Sequence, residues 1–217
     1  MEPRVTSQQN FVRPPSLAVW LLNLFALAER ADSILGDLLE EFSLLASKSG
    51  VASARRWYWR QTIKTVPQLA GVGFRTAPWM TGAAVVGGFL LRKLVAPWVD
   101  PSIFAVLERY QVFEHHFSTY RFLASTGLDV GHFITFLCIG FIVAFAARER
   151  EMVATMSLGL IYGAIGVAGS VYIVTRTGDD ATLWRLTWYF ADSLAIVIAG
   201  AIVRTHRLAA TSHSSNA

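Results

Sequence analysis

The sequence predicts an all-α integral membrane protein. Its expected parts are a small cytoplasmic three-helix unit, four transmembrane helices and one amphipathic interfacial helix. Three observations carry that expectation. Of the 217 residues, 53% are hydrophobic and only 16% charged, against roughly 25% charged in a soluble domain. The apolar residues cluster into long runs, of the kind that need about 20 residues to cross a bilayer. Ahead of those runs, apolar residues recur at helical spacing and do not alternate as in a strand.

Residues 1–13 read as a polar tail. In PPSLAVWLLNLFALAER (14–30), Leu17, Leu21, Leu24, Phe25 and Ala28 share a helical face, and Pro15 suits a first turn. The run is too short to span a bilayer. Its basic flank and the triplet Ala26-Leu27-Ala28 would also suit a cleavable leader, but Glu2, Asn23 and the two prolines suit one poorly. A helix of a folded unit is therefore expected. Asp32 can cap a second helix, DSILGDLLEEFSLLASKSG, with Ile34, Leu35, Leu38, Phe42 and Leu45 as its apolar face and Gly50 at its end. A third helix runs from about Ala52 to Val66, where Pro67 ends or kinks it. Residues 14–67 thus form the cytoplasmic unit, and 68–204 the membrane domain.

Four spans follow, at about Thr76–Val95, Val130–Ala147, Met152–Thr175 and Leu183–Val203. Between the first two lies an outer segment, residues 100–127. Ile103, Leu107, Tyr110 and Phe113 recur there at helical spacing, as in a helix lying on the membrane surface. Residues 205–217 read as a second polar tail. Thirteen of the nineteen Lys and Arg residues fall on the side of the N-terminus and six on the other. Lys and Arg favour the cytoplasmic side, so both termini are expected in the cytoplasm.

The stretch ARRWYWRQTIK (54–64) interleaves bases with aromatics. Arg55, Arg56, Arg60 and Lys64 are spaced to share a broad helix surface, with Trp57, Tyr58 and Trp59 among them. Nucleic-acid binders use a similar mixture. Here the stretch is tethered close to a membrane span, where Trp and Tyr favour the interface and bases meet anionic lipid. A membrane-interface role is expected, with some of these residues packing inside the three-helix unit, and no nucleic acid.

ILGDLLEEF (34–42) followed by ARRWYWRQ (54–61) resembles the permease prefix domain. That domain is a small cytoplasmic helical module preceding the first span in many bacterial ABC-transporter permeases of the macrolide-exporter type. The resemblance covers residues 14–67 and implies a docking module in the bacterial cytoplasmic (inner) membrane, with an ABC ATPase as partner. Such permeases carry a large extracytoplasmic domain after the first span, where this chain has only the outer segment. The chain holds no Walker motif, so ATP hydrolysis by the chain itself is not expected.

Asp192 lies about nine residues into the fourth span, near mid-bilayer. An ionisable group there is a functional candidate. Its alternatives are an interhelical hydrogen bond involving Ser193 or Thr187, ion or proton handling, and a cofactor contact. In the third span Gly159, Gly163, Gly166 and Gly169 make a small-residue surface for close helix packing, within this chain or against another. Trp184, Trp188 and Tyr189, with Arg185, read as an outer aromatic belt. Glu114, His115 and His116 point to different helix faces and make a poor metal set, so no metal site is expected. His132 opens the second span, as an interfacial hydrogen-bonding residue or a haem or chlorophyll ligand. Cys138 is the only cysteine, which excludes an internal disulfide and a cysteine-based metal site.

No catalytic constellation appears in the sequence. The expected function is a non-enzymatic accessory or structural subunit of a larger inner-membrane complex, either a transporter or a respiratory or photosynthetic assembly. The alternatives are a reduced ABC-transporter permease or permease regulator, and a small proton- or ion-coupled transporter using Asp192. The expected partners are the lipid bilayer and other integral membrane subunits. Bound lipid is expected and no other cofactor, with pigment or haem contact kept as an alternative.

Overall fold

The computed structural model describes residues 12–26, 28–76, 78–178 and 181–214. Almost all of these residues are helical, none of them is in a strand, and the chain divides into two compact units with the boundary between Gly73 and Phe74. The expected tail at 1–13 lies almost wholly outside the described residues.

The first unit holds α1 (Ser16–Phe25), α2 (Ala28–Ser49) and the greater part of α3 (Val51–Thr76). The Pro15 carbonyl accepts the backbone N–H groups of Ala18 and Val19 at 3.0 and 3.1 Å, which starts α1 where the proline predicts. α2 begins before Asp32, so that residue lies inside the helix and is not its cap. Gly50 joins α2 to α3 at φ +82, a left-handed conformation that glycine adopts without the Cβ clash. Ala18, Leu22, Phe42, Ala54 and Tyr58 form the core.

Tyr58 corrects the interface reading of its stretch. Only 1% of it is exposed, and its ring meets Phe42 edge-on at 5.7 Å. Burial pushes its phenol pKa up from the usual 10.0. Trp57 and Trp59 are half-buried against the same core, while Arg55, Arg56, Arg60 and Lys64 are exposed. The aromatics therefore build the unit and the bases coat it. Pro67 does not end α3, because Val66 and Leu69 on either side of it pack on the core and hold the helix.

The second unit contains four helices long and apolar enough to cross a membrane. They are α4 (Pro78–Arg109), the run Phe117–Ala147 that ends in α7 (Leu128–Ala147), α8 (Glu151–Thr177) and α9 (Ala181–Ser214). α9 packs against both α7 and α8, and α4 packs against α7. Phe136, Ile139, Val143, Leu158, Tyr162 and Ile196 fill the core between them.

Two boundaries differ from expectation. α4 continues through Pro97 and Pro101 to Arg109, so residues 100–109 belong to a spanning helix and not to a separate surface helix. The extension is held by packing on α7. A Cβ on Gly131 would lie 2.9 Å from Ile103, and Leu107 is buried. Gln111, at φ 46, breaks the chain. Short helices α5 (Val112–His115) and α6 (Phe117–Phe122) and a π-helical turn (Leu123–Gly127) then lead into α7. At the other end α9 runs to Ser214, where a tail from residue 205 was expected. Arg204 and Arg207 are tied back to α8 in that stretch, as described below.

Candidate functional site

Three glycines of α8 decide where α9 lies. A Cβ added at Gly159 would stand 3.0 Å from the Ser193 carbonyl oxygen, one at Gly163 3.4 Å from the Ser193 hydroxyl, and one at Gly166 2.6 Å from the Tyr189 ring. A Cβ at Gly166 would overlap the ring and one at Gly159 would press on the backbone, while one at Gly163 would just touch, so the small residues allow the close approach. The small surface is thus occupied by the chain's own α9. Gly169, expected to share it, has nothing of this chain within 4 Å of its Cβ position and takes no part in the contact with α9. Gly140 of α7 completes the seat of α9, with a Cβ position 2.8 Å from the Ile196 carbonyl oxygen.

Seating α9 in this way brings charged residues of three helices around one cavity of about 470 Å³. α9 supplies Arg185, Trp188, Tyr189 and Asp192, which recur at helical spacing on one face. α7 supplies Asp129, His132 and Phe136, also one face, and α4 supplies Arg92. Trp184 and Ser125 lie on the wall as well. Trp184, Trp188 and Tyr189, expected only as an interfacial belt, therefore also line a polar cavity. Trp184 and Tyr189 keep exposed surface, and Trp188 is half-buried.

Asp192 is 8% exposed. Its Oδ1 is buried without a hydrogen-bond partner, as are Trp188 Nε1 and Arg92 Nε. A buried polar atom left unpaired costs about 1–3 kcal/mol. The hydrogen bond expected of Asp192 as an interhelical tie is not made by Oδ1, and the Ser193 hydroxyl donates instead to the Tyr189 carbonyl at 2.9 Å. The Arg92 guanidinium sits 5.4 Å from the Phe136 ring centre and 5.6 Å from that of Tyr162. Phe89 stacks on Tyr162 behind it at 5.6 Å. Ring faces attract a desolvated cation by up to about 2 kcal/mol, which helps hold a permanently charged side chain within the bundle.

His132 does not stand open as a ligand. Its Nε2 lies 2.9 Å from Asp100 Oδ1, the interfacial hydrogen-bonding role weighed from the sequence. His115 Nδ1 lies 3.1 Å from the Gln111 carbonyl. Among the described residues no group of three or more His, Cys, Asp or Glu side chains is gathered to hold a metal.

A second charged cluster, missed in the sequence reading, lies at the α7–α8 turn. Glu151 opens α8 with 0% exposure, a helix N-terminal position that favours a carboxylate. Arg207 Nη1 donates to its Oε1 at 2.7 Å, and Arg204 Nη1 stands 3.9 Å from Oε2. The Thr155 hydroxyl donates to the Glu151 carbonyl at 2.7 Å. Glu151 falls between the expected second and third spans, Arg204 just past the fourth, and Arg207 in the expected tail. The available signal was their spacing, since residues three apart on a helix can face one partner.

Fold and site together define a class: a multi-pass helical membrane protein whose bundle carries an open cavity with charged residues on its wall. Compared with known proteins, the chain matches no family model, no curated protein and no solved structure.

Proposed function

We propose that this chain is a solute-handling protein of the bacterial inner membrane, with both termini in the cytoplasm, whose cavity takes a small charged solute from the outer side. One observation carries the proposal: a buried carboxylate, Asp192, stands at the wall of a polar cavity with an oxygen unpartnered. Structural charges are normally paired, and ionisable groups within a bundle mark solute, ion or proton routes. The orientation is supported by the thirteen-to-six division of Lys and Arg. It puts Asp129, Trp184 and Arg185 toward the outer surface.

One labelling experiment tests cavity and orientation together, on the full chain in vesicles with Cys138 replaced. Asp192→Cys should react with a membrane-impermeant thiol reagent added outside. Ile198→Cys, exposed on the same helix away from the cavity, should not. Reaction only from the cytoplasmic side would overturn the orientation. No reaction at Asp192→Cys would overturn the cavity reading.

A second reading, an accessory subunit docked on a larger complex, is favoured by the first unit. That unit has its own core and exposes Arg55, Arg56, Arg60 and Lys64. Its partner would be another membrane subunit or, as the prefix-domain resemblance implies, an ABC ATPase. Mass spectrometry of proteins co-eluting from native membrane is its test, and elution without stoichiometric companions would remove it.

A further inference from the structure

We infer that a groove between the C-terminal parts of α7 and α9 holds an anionic phospholipid, its phosphate on His206 and Arg207 and an acyl chain against Phe141, Phe145 and Ile202. With Val203 and Ala210 these residues line an open space of about 360 Å³. The groove shares α9 with the Asp192 cavity but no lining residue. Ile202, His206 and Ala210 recur at four-residue spacing on α9, as Phe141 and Phe145 do on α7, so each set forms one stripe. Polarity changes along the groove. His206 and Arg207 stand in the last turn of a candidate span that ends at Ala210, and Ile202 lies about 6 Å further in. The lining therefore passes from hydrocarbon depth to headgroup depth in about one turn.

Surface and charge select the occupant. Phe145 and Ile202 are exposed on helices apolar enough to cross a membrane, so the inner half of the groove meets lipid chains. None of the described lining residues is acidic. This end of the bundle also carries surplus positive charge, since Arg148, Arg150, Arg204 and Arg207 stand against Glu149 and Glu151 in the sequence. Arg207 gives one N–H to Glu151, but a guanidinium has five donors, and its side chain keeps 36% of its surface exposed. The ring of His206, exposed beside it, can add another donor. Basic pockets between spanning helices take anionic headgroups in this way. A zwitterionic lipid would bring its own cation to this basic mouth. A soluble anion would satisfy the mouth and leave the apolar stripes unused.

The test is native mass spectrometry of the purified full chain in detergent, with phosphatidylglycerol and phosphatidylcholine of identical acyl chains offered together. The first bound lipid should be phosphatidylglycerol by at least about tenfold, as one charged hydrogen bond gives. Glycerophosphoglycerol, the same headgroup without chains, should not displace it at equal concentration. Ala210→Glu puts a rival carboxylate at the groove mouth and should abolish the preference. Ala209→Glu makes the same change at an exposed position of α9 outside the lining and should keep it. Equal retention of the two lipids by the wild-type chain would overturn the proposal. Displacement by the chainless headgroup would make the mouth a phosphate site and overturn the lipid. A preference that Ala210→Glu keeps, or that Ala209→Glu loses equally, would belong to the general charge of that end of the bundle and overturn the groove.

Discussion

Two groups of buried charge share α9 and are built differently. Asp192 and Arg204 are twelve residues apart, or about 18 Å along the helix. At the α7–α8 turn, Glu151 is wholly buried between Arg204 and Arg207, and its carboxylate accepts a short charged hydrogen bond from Arg207. Around the cavity, Arg92 Nε and Asp192 Oδ1 are buried without a hydrogen-bond partner, and in the first cluster Glu151 Oε2 likewise accepts no hydrogen bond. Burial alone therefore does not separate a structural charge from a functional one. The difference is one of degree: the Glu151 carboxylate accepts a charged hydrogen bond and lies 3.9 Å from a second arginine, whereas no hydrogen bond reaches Asp192 Oδ1 at the cavity wall.

The largest expected effect is at the Glu151 cluster. Glu151→Leu removes the carboxylate that faces two arginines and should destabilise the bundle by about 3–5 kcal/mol, read as a lower unfolding midpoint in detergent. A loss below about 1 kcal/mol would mean that its pairing does not hold the bundle. Gly166→Ala should come next. Its Cβ would stand 2.6 Å from the Tyr189 ring, so the tyrosine must shift at the cavity wall, at a cost of about 1–3 kcal/mol. Gly169→Ala, with no neighbour to meet, should be neutral or stabilising by up to about 1 kcal/mol, and a comparable loss from both would remove the distinction.

The smallest effect sharpens the comparison most. Asp192→Leu removes a carboxylate that accepts no hydrogen bond at Oδ1 but feels the charge of Arg92, so it should cost no more than about 1 kcal/mol while solute binding disappears. Destabilisation as large as that of Glu151→Leu would show that the two clusters are alike.

The spans were legible because twenty-residue apolar runs have few other uses. The closing of α8 on α9 was half legible: the glycines announced a close approach, but the sequence could not say whether the neighbour was α9 or another protein. Arg92 was hidden by its own charge. The span expected at 76–95 puts Arg92 and Lys93 at its outer end, whereas rings from α7 and α8 flank Arg92 and α4 continues past it. Pro97 and Pro101 concealed the same continuation. Proline weakens a helix locally, but contact with Gly131 and burial of Leu107 hold the extension in place. Tyr58 misled in the opposite direction, since an aromatic among bases suits an interface until Phe42 is found against it.

The setting of Arg92 has a consequence for biogenesis. α4 is the least apolar of the four spanning helices, and an arginine near the middle of an inserting segment costs about 2.5–3.5 kcal/mol at the translocon. The rings that face Arg92 belong to Phe136 and Tyr162, which the ribosome makes after it. When α4 first emerges, its cation has neither ring to rest on, so its entry into lipid is at its weakest. Stable insertion of the first span then waits for the second and third.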